Sequence, residues 1–260
     1  MKTIAIVTGA SSGIGKEFFL SLNERKEGLD EIWVVARSED KLNELRPLTS
    51  VPLRVFPLDL STAEAISTLE RAFEAEALEI KYLICASGFG RFSAIADDEN
   101  AVLQNMVDLN CRSIVGLTRA AFPYMQKGGQ VLLIASMAAF QPIPYIATYG
   151  ATKAFVLSYG RAFNQELRKA KGARCLCVCP FWTKTAFFDR AISPDEKTVV
   201  KKYAVMYEPQ QIVKQAWKDM KRKNRDVSVY GFVAKGQRLL VKLLPHRLVM
   251  WVWQNDQKLL

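Results

Sequence analysis

The segment Ile4-Ala5-Ile6-Val7-Thr8-Gly9-Ala10-Ser11-Ser12-Gly13-Ile14-Gly15 decides the fold class. Its four leading apolar residues read as a strand buried on both faces. A glycine- and serine-rich turn follows, then a helical run carrying Phe18, Phe19 and Leu22. The glycines are spaced GxxxGxG. Gly9 permits a tight turn off the strand, Gly13 lets backbone approach a phosphate closely, and Gly15 lets the new helix pack on the sheet. The helix N-terminus adds N–H groups and a partial positive charge, with Ser11, Ser12 and Ile14 completing the cradle. In a first strand–helix unit, this turn points to dinucleotide binding.

The same alternation continues along the chain. Residues 32–35, 53–56, 82–85, 131–134, 175–179 and 227–230 read as further strands, and 63–75 as a helix. Continuous apolar strands separated by helices predict an α/β fold. It is a single Rossmann-type, doubly wound parallel sheet of about seven strands with helices on both faces. Residues 1–230 are expected to form the dinucleotide-binding domain. Residues 231–260 are expected to be a basic, apolar helical extension, not an independent domain.

Composition narrows the class. Of 260 residues, 50% are hydrophobic, enough for one sizeable core. No run of about 18 apolar residues predicts a spanning helix. The N-terminus lacks the pattern of a cleavable signal, so a cytoplasmic location is expected. Cys85, Cys111, Cys175, Cys177 and Cys179 have no zinc or CxxC spacing. They read as small core residues in a reducing compartment, and no metal site is expected. The single histidine, His246, lies in the tail, which argues against a Ser-His-Asp hydrolase. The net charge is +10, and residues 211–260, with 11 basic and 3 acidic side chains, carry +8 of it. Nucleic-acid binding would need a reading element and aromatic platforms, and neither is evident. An anionic substrate, a membrane surface or a subunit contact suits the basic tail better.

The second strand ends Val35-Ala36-Arg37-Ser38. A carboxylate here would accept from a ribose 2′-OH, whereas Arg37 can pair with a 2′-phosphate. That favours NADP(H), the alternative being a solvated surface arginine. Asp59 and Leu60 follow the third strand. Asp59 could meet the adenine, or it could cap the next helix, as could Ser61.

Tyr149-Gly150-Ala151-Thr152-Lys153 places a tyrosine and a lysine on one helix face. A nearby ammonium should lower the phenol's pKa. Ser136 lies thirteen residues before Tyr149, and Asn110 twenty-six before Ser136. With TGASSGIG, Asp59-Leu60, YGATK and the stretch from Pro180 to Thr185, this set resembles the short-chain dehydrogenase/reductase family over residues 3–190.

The resemblance implies an NADP(H)-dependent oxidoreductase interconverting a ketone and a secondary alcohol. Tyr149 would be the general acid or base. Lys153 would lower its pKa and hold the nicotinamide ribose. Ser136 would polarise the substrate oxygen, and Asn110 would support a water-linked relay to Lys153. Pro180, Thr183 and Thr185 would meet the nicotinamide. Two departures stand out. Cys85-Ala86-Ser87-Gly88 replaces the family's NNAG, losing side chains that brace neighbouring strands. Gly88 is expected to supply backbone freedom beside the cofactor. Phe181-Trp182 follows Pro180 where the family has glycine. These two rings could shape an apolar substrate site or simply pack in the core, and the same choice applies to Phe187, Phe188, Tyr203, Met206 and Tyr207.

The expected substrate is a hydrophobic ketone or alcohol, a steroid or bile acid first and a 3-oxoacyl thioester second. A catalytically silent nucleotide-binding regulator would be expected to lack one of Asn110, Ser136, Tyr149 and Lys153. A homo-oligomer, dimer or tetramer, is expected. The tail, split by Pro245, could cover the cleft, meet a second subunit or lie peripherally on a membrane.

Overall fold

The computed structural model describes residues 1–192, 199–200, 202–203 and 205–259. The chain runs β1 (Lys2–Thr8), α1 (Gly13–Ser21), β2 (Glu31–Ala36), α2 (Glu39–Asn43), β3 (Leu53–Pro57), α3 (Ala63–Glu74), β4 (Leu78–Cys85), α4 (Asn100–Val107), α5 (Ser113–Ala121), β5 (Met125–Ile134), α6 (Ala147–Lys171), β6 (Arg174–Val178), α7 (Phe187–Ala191), α8 (Pro209–Met220), β7 (Val227–Ser228), α9 (Phe232–Leu243) and α10 (His246–Asp256). The strands form one parallel sheet in the order β3-β2-β1-β4-β5-β6-β7.

Period-two alternation divides the core. Ile4, Ile6, Trp33 and Val35 join residues of α3, α5 and α6 on one face. Ala5, Val7, Ile32 and Val34 join α1 and α8 on the other. Both faces being covered, the strands carry continuous apolar runs such as Ile4-Ala5-Ile6-Val7 and Val131-Leu132-Leu133-Ile134, as expected. The strand order reverses between β1 and β4, and the chain leaves them towards opposite faces. A crevice therefore opens beyond their C-terminal ends.

The seventh strand is shorter than expected, spanning Val227–Ser228. It is an edge strand, and Gly231 at φ +90 turns the chain into α9 soon after. All five cysteines are buried thiols. Cys175, Cys177 and Cys179 share one face, beneath α6. That packing depends on Gly160, where a Cβ would stand 2.4 Å from the Cys177 sulfur and 2.9 Å from Leu133. Gly160→Ala is therefore expected to destabilise by about 1–3 kcal/mol through overpacking. A thermal melt would read this as a drop of several degrees, and an unchanged melting temperature would contradict the packing.

Candidate active site

The first turn of α1 is built for close approach. Gly9 has φ +65, and a Cβ there would sit 2.8 Å from the backbone of Ala86 and Ser87. A Cβ on Gly15 would stand 2.2 Å from the Gly9 carbonyl oxygen, so α1 can rise off β1 only with glycine there. Gly13, at φ +53, abuts Thr185. Ser12 stands at the N-cap in extended backbone and its side chain makes no cap bond. The absent asparagines have a substitute. Thr8 Oγ1, buried, accepts from the backbone N–H of Ala86 at 3.1 Å and of Ser87 at 3.2 Å. This bond pair ties the ends of β1 and β4 together.

A cleft of about 690 Å³ runs from this turn to the C-terminal helices. Ser11, Ile14, Arg37, Asp59, Leu60, Ala86, Ser87, Gly88, Pro180, Phe181, Trp182, Thr183 and Thr185 line it, along with Ser136, Tyr149 and Lys153. Asn110 alone among the expected site residues stands behind the wall. At one end Arg37 is exposed and makes no ion pair among the described residues. Lys41 joins it there, a second cation that the sequence reading missed although it lies only one turn along α2. Neither Asp59 nor Ser61 caps α3. Asp59 Oδ1 accepts from the N–H and hydroxyl of Ser61, at 2.9 and 2.7 Å, while Thr62 accepts from Ala65 N–H at the cap. Asp59 thus shapes the turn that presents Leu60 to the cleft.

The proton-transfer group lies at the middle of the cleft. Lys153 is buried on α6, and its ammonium donates to the Ile134 carbonyl at 2.9 Å. Its Nζ lies 5.7 Å from the centre of the Tyr149 ring. Ser136, just beyond β5, accepts from Ala138 N–H at 3.1 Å and hydrogen-bonds the Tyr149 phenol. Burial pushes Tyr149 up to about 12, and the Ser136 hydroxyl only partly offsets it. Burial also pushes Lys153 down to about 8. The expectation that Lys153 lowers the phenol's pKa is corrected here. The ammonium is turned to the Ile134 carbonyl, and the net shift of the phenol is upward, with desolvation its largest cause.

Asn110 holds this group from behind. It lies in a π-helical turn, residues 108–112, between α4 and α5. Its Oδ1 accepts from Phe89 N–H at 3.1 Å, and its Nδ2 donates to the Phe89 carbonyl at 2.8 Å and to Thr152 Oγ1 at 3.0 Å. It therefore clamps the loop after β4 to the residue preceding Lys153. Gly88 matters here for size. Its φ is not left-handed, contrary to the expected need for backbone freedom. A Cβ on it would stand 2.9 Å from Asn110 Oδ1 and 3.4 Å from Lys153 Nζ.

Aromatic rings surround Tyr149. Phe187 lies 5.5 Å from it and Phe92 6.5 Å, centroid to centroid. Trp182 and Phe188 line the cleft, with Tyr203 packed behind both at 5.1 and 5.3 Å. Tyr203, Met206 and Tyr207 do not line it. Tyr207 instead fills the space beside Gly231 and packs on Tyr230. Phe92 and Gln141 are wall residues that sequence reasoning missed. Gln141, between Ser136 and Tyr149 in the chain, carries a buried Oε1 with no hydrogen-bond partner among the described residues. From the tail, Leu240, Leu244, Val252 and Trp253 close the far end. Trp253 Nε1 anchors α10 by donating to the Pro144 carbonyl at 3.1 Å.

The sequence profile described as short chain dehydrogenase matches residues 3–196. This chain belongs to the short-chain dehydrogenase family. It is similar to a very-long-chain 3-oxoacyl-CoA reductase of Rattus norvegicus, 31% identical over 192 residues that cover 70% of this chain and 59% of that one. The fold is similar to that of a short-chain dehydrogenase from Sphingobium yanoikuyae in complex with NADPH. There the TM-score is 0.75, identity 24%, and coverage 94% of this chain and 97% of that one. It is similar also to a 7beta-hydroxysteroid dehydrogenase, with TM-score 0.78, 21% identity and 96% of each chain covered. As a short-chain dehydrogenase, the chain is an oxidoreductase. The α9–α10 tail lies outside the matched residues.

Proposed function

We propose that this short-chain dehydrogenase is an NADP(H)-dependent enzyme interconverting a hydrophobic ketone and its secondary alcohol, with a steroid or bile-acid ring system as the first substrate class. The observation that carries this reading is the convergence of half-buried Ser136 and Tyr149 with buried Lys153, midway along the cleft that starts at the glycine turn.

The cradle fits a dinucleotide. Gly9 and Gly15 leave no room for a Cβ, α1 presents its N-terminus, and Arg37 with Lys41 offers two cations where a 2′-phosphate would lie. Gly9, Gly13, Gly15, Ser11, Ser12 and Ile14 would hold the pyrophosphate. Leu60 and Asp59 would flank the adenosine, and Pro180, Thr183 and Thr185 the nicotinamide. When bound, the nicotinamide supplies or accepts the hydride.

The chain's own residues handle the oxygen. Ser136 donates a hydrogen bond to the substrate carbonyl and orients it. Tyr149, protonated at neutral pH, gives its proton to the oxygen as negative charge develops there. Lys153, on the same face of α6 and held by the Ile134 carbonyl, keeps a positive charge near the phenol and so offsets part of the burial cost of the tyrosinate that forms. Asn110 acts as a positioning residue through Thr152 and the Phe89 backbone. The rings of Phe92, Trp182, Phe187 and Phe188 exclude water and give a flat apolar molecule its contact surface.

A second reading, a 3-oxoacyl-thioester reductase, draws on the likeness to the rat reductase and on Lys202, which lines the cleft near α10 and suits an anionic nucleotide or carrier end. NADPH oxidation is to be measured across steroid ketones, bile-acid ketones and 3-oxoacyl thioesters. The rate on the preferred class is expected to fall about 10²- to 10⁴-fold in Tyr149→Phe. Equal rates in both proteins would overturn the mechanism, and a preference for thioesters would select the second reading.

Cofactor choice is tested separately. Arg37→Asp is expected to reduce the kcat/KM ratio of NADPH over NADH by roughly 10- to 100-fold, since one charge-assisted bond is lost and a repulsion is added. An unchanged ratio would make Arg37 a solvated surface residue.

A further inference from the structure

Helices α9 and α10 carry an apolar face that the fold leaves uncovered. On α9, Phe232, Gly236, Leu239 and Leu243 recur at helical spacing, opposite the buried Ala234 and Val241. Phe232 is 93%, Leu239 60% and Leu243 71% exposed. On α10, Leu248, Trp251 and Val252 are exposed while Val249 turns inward. Charge accompanies this face. Lys235 and Lys242 flank one side of the α9 ridge, and Arg247 opens α10, all three exposed. None of them makes an ion pair among the described residues. Residues 232–260 hold five basic side chains and one acidic, Asp256.

We propose that this face docks on the surface of an anionic phospholipid bilayer, with the mouth of the cleft turned towards the acyl layer. Two observations select this occupant. The first is charge complementarity: exposed cations interleaved with leucine, phenylalanine and tryptophan match a surface of anionic headgroups over hydrocarbon. A second copy of the chain suits it less well. A two-fold contact would lay the same basic face on itself and set Lys235, Lys242 and Arg247 of one copy among the like charges of the other. The second observation is continuity with the cleft. Leu240, Leu244 and Val252 are both exposed and part of the cleft wall, so the entrance opens through the apolar face itself.

The helices lie in the surface plane. At 1.5 Å per residue each is about 16–18 Å long, against roughly 30 Å of hydrocarbon. Among the described residues no helix is long and apolar enough to cross a membrane. A lipid-soluble ketone would then pass from the bilayer to Tyr149 without crossing water. That consequence rests on the hydrophobic-substrate reading, whereas the docking itself does not.

The test is sedimentation of the full chain with phosphatidylserine-containing vesicles and with phosphatidylcholine vesicles, at low and high salt. The protein is expected to pellet with the anionic vesicles at low salt and to be released as salt screens the contact. Lys235→Glu with Lys242→Glu should weaken binding roughly fivefold or more per charge. Leu239→Asp with Leu243→Asp should abolish it at an unchanged melting temperature, both side chains being exposed. A wild-type protein that stays in the supernatant with anionic vesicles at low salt would overturn the proposal. So would an Asp double variant that pellets like wild type. If light scattering shows a wild-type dimer that the Asp variant converts to monomer, the ridge belongs to a second copy and the proposal fails. Vesicle binding by a protein inactive on every ketone would leave the docking standing and remove the substrate reading instead.

Discussion

The rest of the site depends on the burial of one ammonium group. Removing Lys153 from water costs free energy unless its protons find acceptors. The carbonyl of Ile134, at the end of β5, supplies one at 2.9 Å. This fixes α6 against the C-terminal end of the sheet and with it the position of Tyr149 one turn earlier. Burial separates the two pKa values in opposite directions, leaving a protonated phenol beside an ammonium that titrates near 8. Groups with pKa values moved apart by their surroundings are the usual signature of assigned acid and base roles. Gly88 leaves space for Asn110 and Lys153, and the Asn110 side chain holds the adjoining loop against α6.

Around this centre the fold divides its labour. The switch between β1 and β4 provides the crevice, and the Thr8 hydroxyl keeps its two edges together. The family match ends at residue 196, and the chain beyond it adds further wall to the cleft through Lys202, Leu240, Leu244 and Trp253. The tail serves two purposes at once. Its inner face, through Val249 and Trp253, closes the cleft. Its outer face presents leucines, an exposed tryptophan and lysines to whatever surface the enzyme meets.

The fold was legible because strands buried on both faces and a glycine turn are local features of the sequence. So were the glycine turn, Arg37 and the proton-transfer residues of the cleft, whereas wall residues such as Phe89, Phe92, Leu109, Gln141 and Ile146 come together only through tertiary packing. Three kinds of detail were not legible. The cap of α3 falls to Thr62 because the Asp59 turn uses Ser61 first. The role of Gly88 follows from a neighbour twenty-two residues away, and size rather than backbone freedom governs it. The direction of the Tyr149 shift is set by desolvation, which depends on what packs over the ring, and spacing on a helix carries no information about that. Nor could the pattern of aromatic residues after Thr185 separate Phe187 and Phe188, which face the cleft, from Tyr203 behind them.

Tyr149 is a half-buried, proton-bearing phenol poised to give that proton away. Tyrosinate absorbance, measured against pH as the difference between the wild-type protein and Tyr149→Phe, tests it directly. Tyr149 is expected to stay un-ionised through neutral pH and to ionise with a midpoint of about 12. A midpoint below the ordinary tyrosine value of about 10 would contradict it.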